Sequence, residues 1–297
     1  MAIPESQLET WSHQGAVTSA SAIYQRIRDA LQADTTLSVR NFDVFLQGSY
    51  RNSTNIRGDS DVDVVVKLLE DTFQPDYDQL DELTKAKVKA GHRDATYTLA
   101  DFRRDVSSAI QRAFPNHNIT EGGKSIKIPR TANNIPADVV PCLEYRLYRP
   151  PQTFLSDATY IDGIWLWDVQ RNHSVISFPK QSYDNGVAKH ERTNQWYKPT
   201  VRIFKNARGW MEDKGLIRIG TASSHAIECL LYNVPDQQFG RSYGSTFVNV
   251  VNWLSSADLT NFVCQNGIQR LFGDGRWTEA NARAFIAGLI QMWNQWR

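Results

Sequence analysis

The segment LQGSYRNSTNIRGDSDVDVVVKL (46–68) carries two aspartates, Asp61 and Asp63, on a stretch that otherwise reads as the buried strand of a sheet. Side chains two residues apart on a strand share a face. The two carboxylates would therefore stand parallel, about 6–7 Å apart, while Val62, Val64 and Val66 face the other way into a core. Burying one unpartnered carboxylate is costly, and two on one face cost more unless a positive charge sits between them. Oxygen-only donors of this kind suit a hard, octahedral cation such as Mg2+ or Mn2+. A third acid would complete the cage, and Asp138 in PADVVP is the comparable acid on a strongly strand-like segment.

A Gly-Ser turn, separated from Asp61 by a gap of eleven residues, ends the preceding apolar run. Gly48 lets the backbone come close to a ligand, and the Ser49 hydroxyl with the amides of a short helical turn binds anionic oxygens. A phosphate chain held there would lie beside the metals. Arg51, Asn52 and Arg57 in the same loop could add donors, or stand solvated. Each feature alone is ordinary, since Asp-x-Asp is common as solvated charge and Gly-Ser is more often a plain turn. Their order and spacing, with a later acid on another strand, point to chemistry.

The elements that must hold these residues follow from periodicity. Leu8, Trp11, Ala16, Ala20, Ile23, Ile27 and Leu31 recur mostly every three to four residues, so the first 33 residues predict one long amphipathic helix. NFDVFLQG and SDVDVVVKLL predict strands, and a helix follows at about 99–114, ended by Pro115. KSIKIPR, IPADVVPCLEYR, DGIWLWD and SVISFP predict further strands, the second with the β-branched density of a central one. Beyond Lys198 the pattern is helical near 199–213, 222–233, 244–256 and 278–296, with Pro199 suited to the first helical position and Gly215 to the end of that helix. The expectation is an α+β chain of two lobes: a mixed-sheet catalytic lobe over 1–190 and a helical lobe over 191–297.

The chain's 297 residues exceed what one core comfortably fills. No run approaches the roughly 18 apolar residues that cross a bilayer. The N-terminus lacks the basic start and apolar centre of a signal peptide, so the expected location is the cytoplasm. The three cysteines, Cys142, Cys229 and Cys264, are far apart and read as reduced structural thiols rather than a disulfide framework or a zinc site. With 33 basic and 32 acidic residues, the net charge of +1 lacks the excess expected of a protein that tracks a long phosphate backbone.

At these residues the sequence resembles the polymerase β-type nucleotidyltransferases, which share a hydrophobic-Gly-Ser turn followed by Asp-hydrophobic-Asp and a later Asp. QGSYRNST…DSDVDVVV, ADVVP, YKPTVRIFKNAR and SSHAIECLLYNVP together resemble the bacterial relatives of cyclic GMP-AMP synthase, the CD-NTases of anti-phage (CBASS) signalling, closest in texture to the E-like clade. The similarity covers about residues 5–290. It implies that Gly48 and Ser49 bind phosphate and that Asp61, Asp63 and Asp138 hold two divalent ions. It also implies that Lys205 and Ser224 reach the nucleotide phosphates. From the residues alone, Lys205 borders an apolar stripe and reads as a snorkelling surface lysine, and Ser224 reads as a helix N-cap without a capping box. The zinc insertion of the DNA-activated eukaryotic relative finds no counterpart, since the six histidines are scattered.

The implied reaction places a ribose hydroxyl in line with the α-phosphate of a nucleoside triphosphate, ATP, UTP or another, with pyrophosphate leaving. Asp138 is the candidate to orient or accept the hydroxyl proton. Making a cyclic product needs two such transfers. Asn185 and Asn194 are the candidates for choosing a base, and Tyr50, Trp196 and Tyr197 are stacking or core rings. The implied partners are nucleoside triphosphates together with regulatory or effector proteins, with no membrane, no clear nucleic-acid partner and a monomeric enzyme. A second reading is template-independent transfer to an RNA end or small acceptor, and a third is a non-catalytic module that retains the fold.

Overall fold

The computed structural model describes residues 2–15, 17–57, 61–131, 135–153, 156–273 and 277–296. In chain order the first elements are α1 (Glu5–Ser12), α2 (Thr18–Ala33), β1 (Phe42–Gln47), α3 (Gly48–Asn52), β2 (Val62–Asp76), α4 (Glu82–Ala90), α5 (Leu99–Ala113), β3 (Thr120–Glu121) and β4 (Ile126–Ile128). There follow β5 (Ala137–Arg149), β6 (Thr159–Asp168), β7 (His173–Ser177), α6 (Pro179–Arg192), α7 (Tyr197–Asp213), α8 (Ser224–Tyr232), α9 (Tyr243–Ser256) and α10 (Glu279–Gln295).

These elements form two compact units. One contains Thr18–Gln47 and Asp61–Lys180, the other Met1–Val17, Gly48–Ser60 and Gln181–Arg297. A linear division at residue 190 therefore differs from the packing: the first residues and the Gly-Ser turn belong with the C-terminal helices.

The sheet unit is mixed, as expected. Its strands run β1-β2-β5-β4-β3, with β6 on β5 and β7 on β6. β2 and β5 are parallel, while β1 with β2, β4 with β5 and β5 with β6 are antiparallel. Val62, Val64 and Val66 are fully buried, on the side of the sheet where α2 packs on β2 and α5 packs on β5. The opposite face is not simply polar. Val65, Val140, Cys142, Ile164 and Leu166 form a second apolar cluster there, with Phe45 and Val175 against it. Beyond that cluster Lys67, buried, donates to both oxygens of Asp162 at 2.8 Å.

In the helical unit α7 packs on α1, α8 and α10, and α9 on α1 and α10. Its core holds Val201, Phe204, Ala207, Met211, Leu230, Phe247 and Phe285. The end of α7 shows why Gly215 is required. Its φ is +68°, and Leu216 donates back to the Met211 carbonyl at 2.9 Å, closing the helix in a left-handed turn that a side chain would strain.

Three expectations need correction. The predicted N-terminal helix is two helices. Gly15 interrupts it, because a Cβ at that position would stand 2.7 Å from the Ile56 carbonyl oxygen, and its amide donates to Asn55 O at 3.0 Å. Pro199 is not the first residue of its helix: α7 opens two residues earlier, and the proline lies within the first turn, where its missing N–H still costs nothing. β2 opens at Val62, so Asp61 precedes the strand and Asp63 alone of the pair lies in it.

Candidate active site

The register of the central strands positions the candidate acids. Asp63 pairs with Gln47 on one side and with Asp138 on the other, and Asp138 pairs with Lys127. Four polar residues thus lie in a row across β1, β2, β5 and β4, on the face of the second apolar cluster. Neighbouring strands are about 4.8 Å apart, so the carboxylates of Asp63 and Asp138 are adjacent. Both are half-buried, while Asp61 is exposed. The buried Oε1 of Gln47, the residue paired with Asp63, has no hydrogen-bond partner. A donor set made only of oxygens suits a hard divalent cation rather than zinc. Of the three predicted metal ligands, the strands bring Asp63 and Asp138 together. Among the described residues, the three aspartates do not form a cluster with ligand atoms within 4.8 Å of one another.

The Gly-Ser turn is built in the other unit. Gly48 has φ +67°, which permits the abrupt change from β1 into α3 without a Cβ clash. The Ser49 carbonyl accepts from the Thr54 amide at 2.9 Å, and Arg202 donates to Ser53 O and Ser12 O at 2.5 Å each. Arg51 does not point into a phosphate cradle here; its guanidinium lies 3.9 Å from the Tyr183 ring centroid.

Lys205 is the surprise. It is 1% exposed rather than snorkelling at the surface, and its Nζ donates to Glu228 Oε1 at 2.5 Å, Thr54 O at 3.1 Å and Thr54 Oγ1 at 3.2 Å. Glu228 in turn accepts from Thr54 Oγ1 at 2.6 Å and Asn52 Nδ2 at 2.9 Å. Burial pushes the Glu228 carboxyl up, but the Lys205 charge and these hydrogen bonds outweigh it and hold the group below its usual range. Lys205 thereby clamps the loop that carries Ser49 onto α7 and α8. Its side chain fixes the turn's position.

Sequence reasoning missed Glu228, although a hint was present. An acid in the apolar run AIECLLY must be buried, and a buried acid needs a partner. Ser224 is not the N-cap of α8. Ser223 holds that position and accepts from Ala226 N, while Ser224 Oγ accepts from Arg208 at 3.2 Å. Asn185 on α6 donates to Gln265 O at 2.9 Å, and Asn194 is exposed in the turn after α6 with φ +47°. Tyr197 is core, its hydroxyl held by Glu228 O and Gln265 Oε1. Cys229 and Cys264, distant in sequence, meet His225 in one cluster, against the expectation of scattered groups.

A model of the nucleotidyltransferase domain matches residues 25–117, and a model of the cGAS/DncV-like nucleotidyltransferase C-terminal helical domain matches 184–294. The cyclic UMP-AMP synthase of Rhodothermus marinus is 44% identical over 299 residues, covering 100% of this chain and 99% of that protein. The chain belongs to the CD-NTase family. A solved structure of Rhodothermus marinus CdnE c-UMP-AMP synthase with Apcpp and Upnpp matches this CD-NTase with TM-score 0.88 and 43% identity, over 99% of this chain and 97% of that one. The Elizabethkingia meningoseptica CdnE cyclic dinucleotide synthase, solved with GTP and Apcpp, matches with TM-score 0.77 and 31% identity over 97% and 98%. The expected resemblance to the E-like clade is borne out, as is the mixed-sheet and helical fold. This CD-NTase is an enzyme of the nucleotidyltransferase class, and its relatives are cyclic nucleotide synthases. Enzymes of this class generally use divalent metal ions, which the oxygen donors of Asp63 and Asp138 fit. No helix among the described residues is long and apolar enough to cross a membrane.

Proposed function

We propose that this CD-NTase condenses ATP and UTP into a cyclic UMP-AMP-type dinucleotide, releasing one pyrophosphate for each phosphodiester bond formed. The observation that carries the reading is the in-register pair Asp63–Asp138 on adjacent parallel strands, with Gln47, whose buried Oε1 is unpartnered, paired to Asp63. The choice of bases is supported by the 44% identity to the Rhodothermus marinus cyclic UMP-AMP synthase over the whole chain.

Asp63 and Asp138, joined by Asp61, would hold two Mg2+ or Mn2+ ions. Bound there, such ions lower the pKa of the attacking ribose hydroxyl and neutralise charge on the departing pyrophosphate. Asp138 orients the hydroxyl and takes its proton. The Ser49 hydroxyl and the amides beside it bind phosphate oxygens, with Gly48 allowing the close approach and Arg51 adding charge on release from Tyr183. Lys205 acts through the loop it clamps, and Ser224, shared with Arg208, presents a hydroxyl to phosphate. Asn194, exposed, and Asn185 read the bases. The enzyme works as a cytoplasmic monomer in CBASS anti-phage signalling, with its product read by an effector protein.

The test is incubation with all four nucleoside triphosphates and Mg2+, phosphatase treatment and mass spectrometry. A phosphatase-resistant product containing one uridylate and one adenylate is expected. Product that appears only when an RNA or small acceptor is added would instead favour terminal transfer. No product under any condition, with nucleotide still bound, would leave only a binding module.

A further inference from the structure

A second cluster of ligand-bearing side chains lies wholly within the helical unit. The Nδ1 or Nε2 of His225 and the Sγ atoms of Cys229 and Cys264 all lie within 4.8 Å of one another. His225 and Cys229 are four residues apart on α8, so they share one face of the helix. Cys264 comes from a tight turn. Its amide donates to Gln269 O and its carbonyl accepts from Gly267 N, both at 2.8 Å, while Leu271 N reaches Phe262 O at 2.9 Å. Gly267 has φ +70°, which a side chain would disfavour.

The turn is locked to the helix independently of the three side chains. Asn233, at the end of α8, donates to Cys229 O at 2.7 Å and to Val263 O at 2.8 Å, and accepts from Val263 N at 3.0 Å. The Asn233 side chain therefore holds the backbone of the turn that carries Cys264 against the end of the helix that carries His225 and Cys229. The Gln265 amide donates to Cys229 Sγ at 3.3 Å, an N–H dipole aimed at a sulfur that would be negative as a ligand.

One edge of the triad has the length of an edge of a metal tetrahedron. With metal–sulfur and metal–nitrogen bonds of about 2.3 and 2.0 Å, a tetrahedral edge between S and N is roughly 3.5 Å. Cys229 Sγ lies 3.5 Å from His225 Nε2. Two thiolates and an imidazole select a borderline-soft cation over Mg2+.

We infer that His225, Cys229 and Cys264 form a binding site for a zinc-class divalent cation that ties α8 to the 262–271 turn. On binding, each cysteine loses its S–H proton to solvent, two metal–thiolate bonds and one metal–imidazole bond form, and all but one of the cation's waters are released. His225 is exposed and both cysteines are buried, so the fourth position opens on the solvent side, where water completes the tetrahedron.

The experiment uses the full, untagged chain, reduced and freed of metal by a chelator, and titrates it with Co2+ and with Zn2+. One Co2+ per chain is expected, with a thiolate-to-cobalt charge-transfer band that Zn2+ displaces. His225→Ala, at an exposed position, keeps the fold by circular dichroism and weakens Co2+ affinity by roughly tenfold or more, since even an outer partner of a ligand is worth that much. Cys264→Ser diminishes the charge-transfer band. Zn2+ raises the unfolding temperature of the parent chain but not of His225→Ala. A reduced chain that shows no thiolate band at saturating Co2+ overturns the inference. So does zinc retained equally by the parent, His225→Ala and Cys264→Ser, or a cluster that forms only a Cys229–Cys264 disulfide in air.

Discussion

Replacing Lys205 by Met tests whether this lysine clamps the phosphate-binding loop or reaches substrate. Met keeps the apolar stem among the α7 core residues but removes the ammonium from a site where Lys205 is 1% and Glu228 5% exposed. Glu228 would keep its bonds from Thr54 and Asn52 and lose its countercharge. Breaking a buried pair in this way costs about 3–5 kcal/mol, a large share of the roughly 5–15 kcal/mol that holds a typical protein folded. Adding Glu228→Gln to Lys205→Met removes the stranded charge and leaves an acceptor for Thr54, so about 1–3 kcal/mol should return as coupling between the two sites. Urea unfolding of the parent, of Lys205→Met and Glu228→Gln alone and of the double variant, followed by tryptophan fluorescence, gives these values, and product formation by the same four proteins gives the functional half. The clamp predicts that stability and turnover fall together in the single variant and recover together, in part, in the double one. If Lys205→Met costs less than about 1 kcal/mol yet abolishes turnover, the ammonium is spent on substrate and the buried pair is not what holds the loop.

Asp63→Asn should leave the unfolding curve nearly unchanged and cut the rate of product formation by about two to three orders of magnitude, as loss of a charge-stabilising group does; a rate within tenfold of the parent would remove the Asp63–Asp138 pair from the chemistry. His190 has its pKa lowered from 6.5 to about 4 by burial and by the nearby charges of Lys198 and Arg202. Its neutral form is thus favoured by folding. Stability from this group is fully present above pH 6.5 and is lost as pH falls toward 4, by on the order of 1–2 kcal/mol once its partial exposure is discounted. Unfolding free energies of the parent and His190→Phe across that interval should converge as pH falls, and parallel curves would refute the assignment. Gly163→Ala on β6 would put a Cβ 2.9 Å from Ser177 O and 3.0 Å from the Phe178 ring. About 1–3 kcal/mol of destabilisation should follow, read by thermal unfolding.

Which parts of the molecule were legible in the sequence follows from what each segment buries. The strands around the acids were readable because β2 and β5 are hydrophobic on both faces, and runs such as VDVVVKLL and ADVVPCLEY can be little else. α4 was not readable: it buries no residue, and its order comes from the Asp81 cap at one end and Lys87 and Lys89 at the other. α6 was missed for a related reason. It buries Gly186 and Lys189, so its inward face has no apolar stripe. The break at Gly15 was invisible because its cause, the Ile56 carbonyl, is 41 residues away along the chain. The same holds for Lys205, whose burial depends on an acid on another helix, and for the two distant cysteines that meet on His225.

The acidic pair shows how packing holds two candidate ligands side by side. A shift of one residue in the β2–β5 register would move Asp138 to the helix-covered face and Val139 to its place. That shift is resisted on both sides of the sheet at once. Val64 and Val66 would leave matched positions opposite Val139 and Pro141, and Val65 would leave Val140 in the second apolar cluster. The Lys67–Asp162 ion pair, four residues along β2 from Asp63, adds a charged pin to the same register, because Lys67 is buried and would be stranded by a slip. Two half-buried carboxylates repel, so in isolation this arrangement is unfavourable. It is tolerated because the valines that set the register cannot move without exposing two cores; the divalent ions proposed above would offset the repulsion.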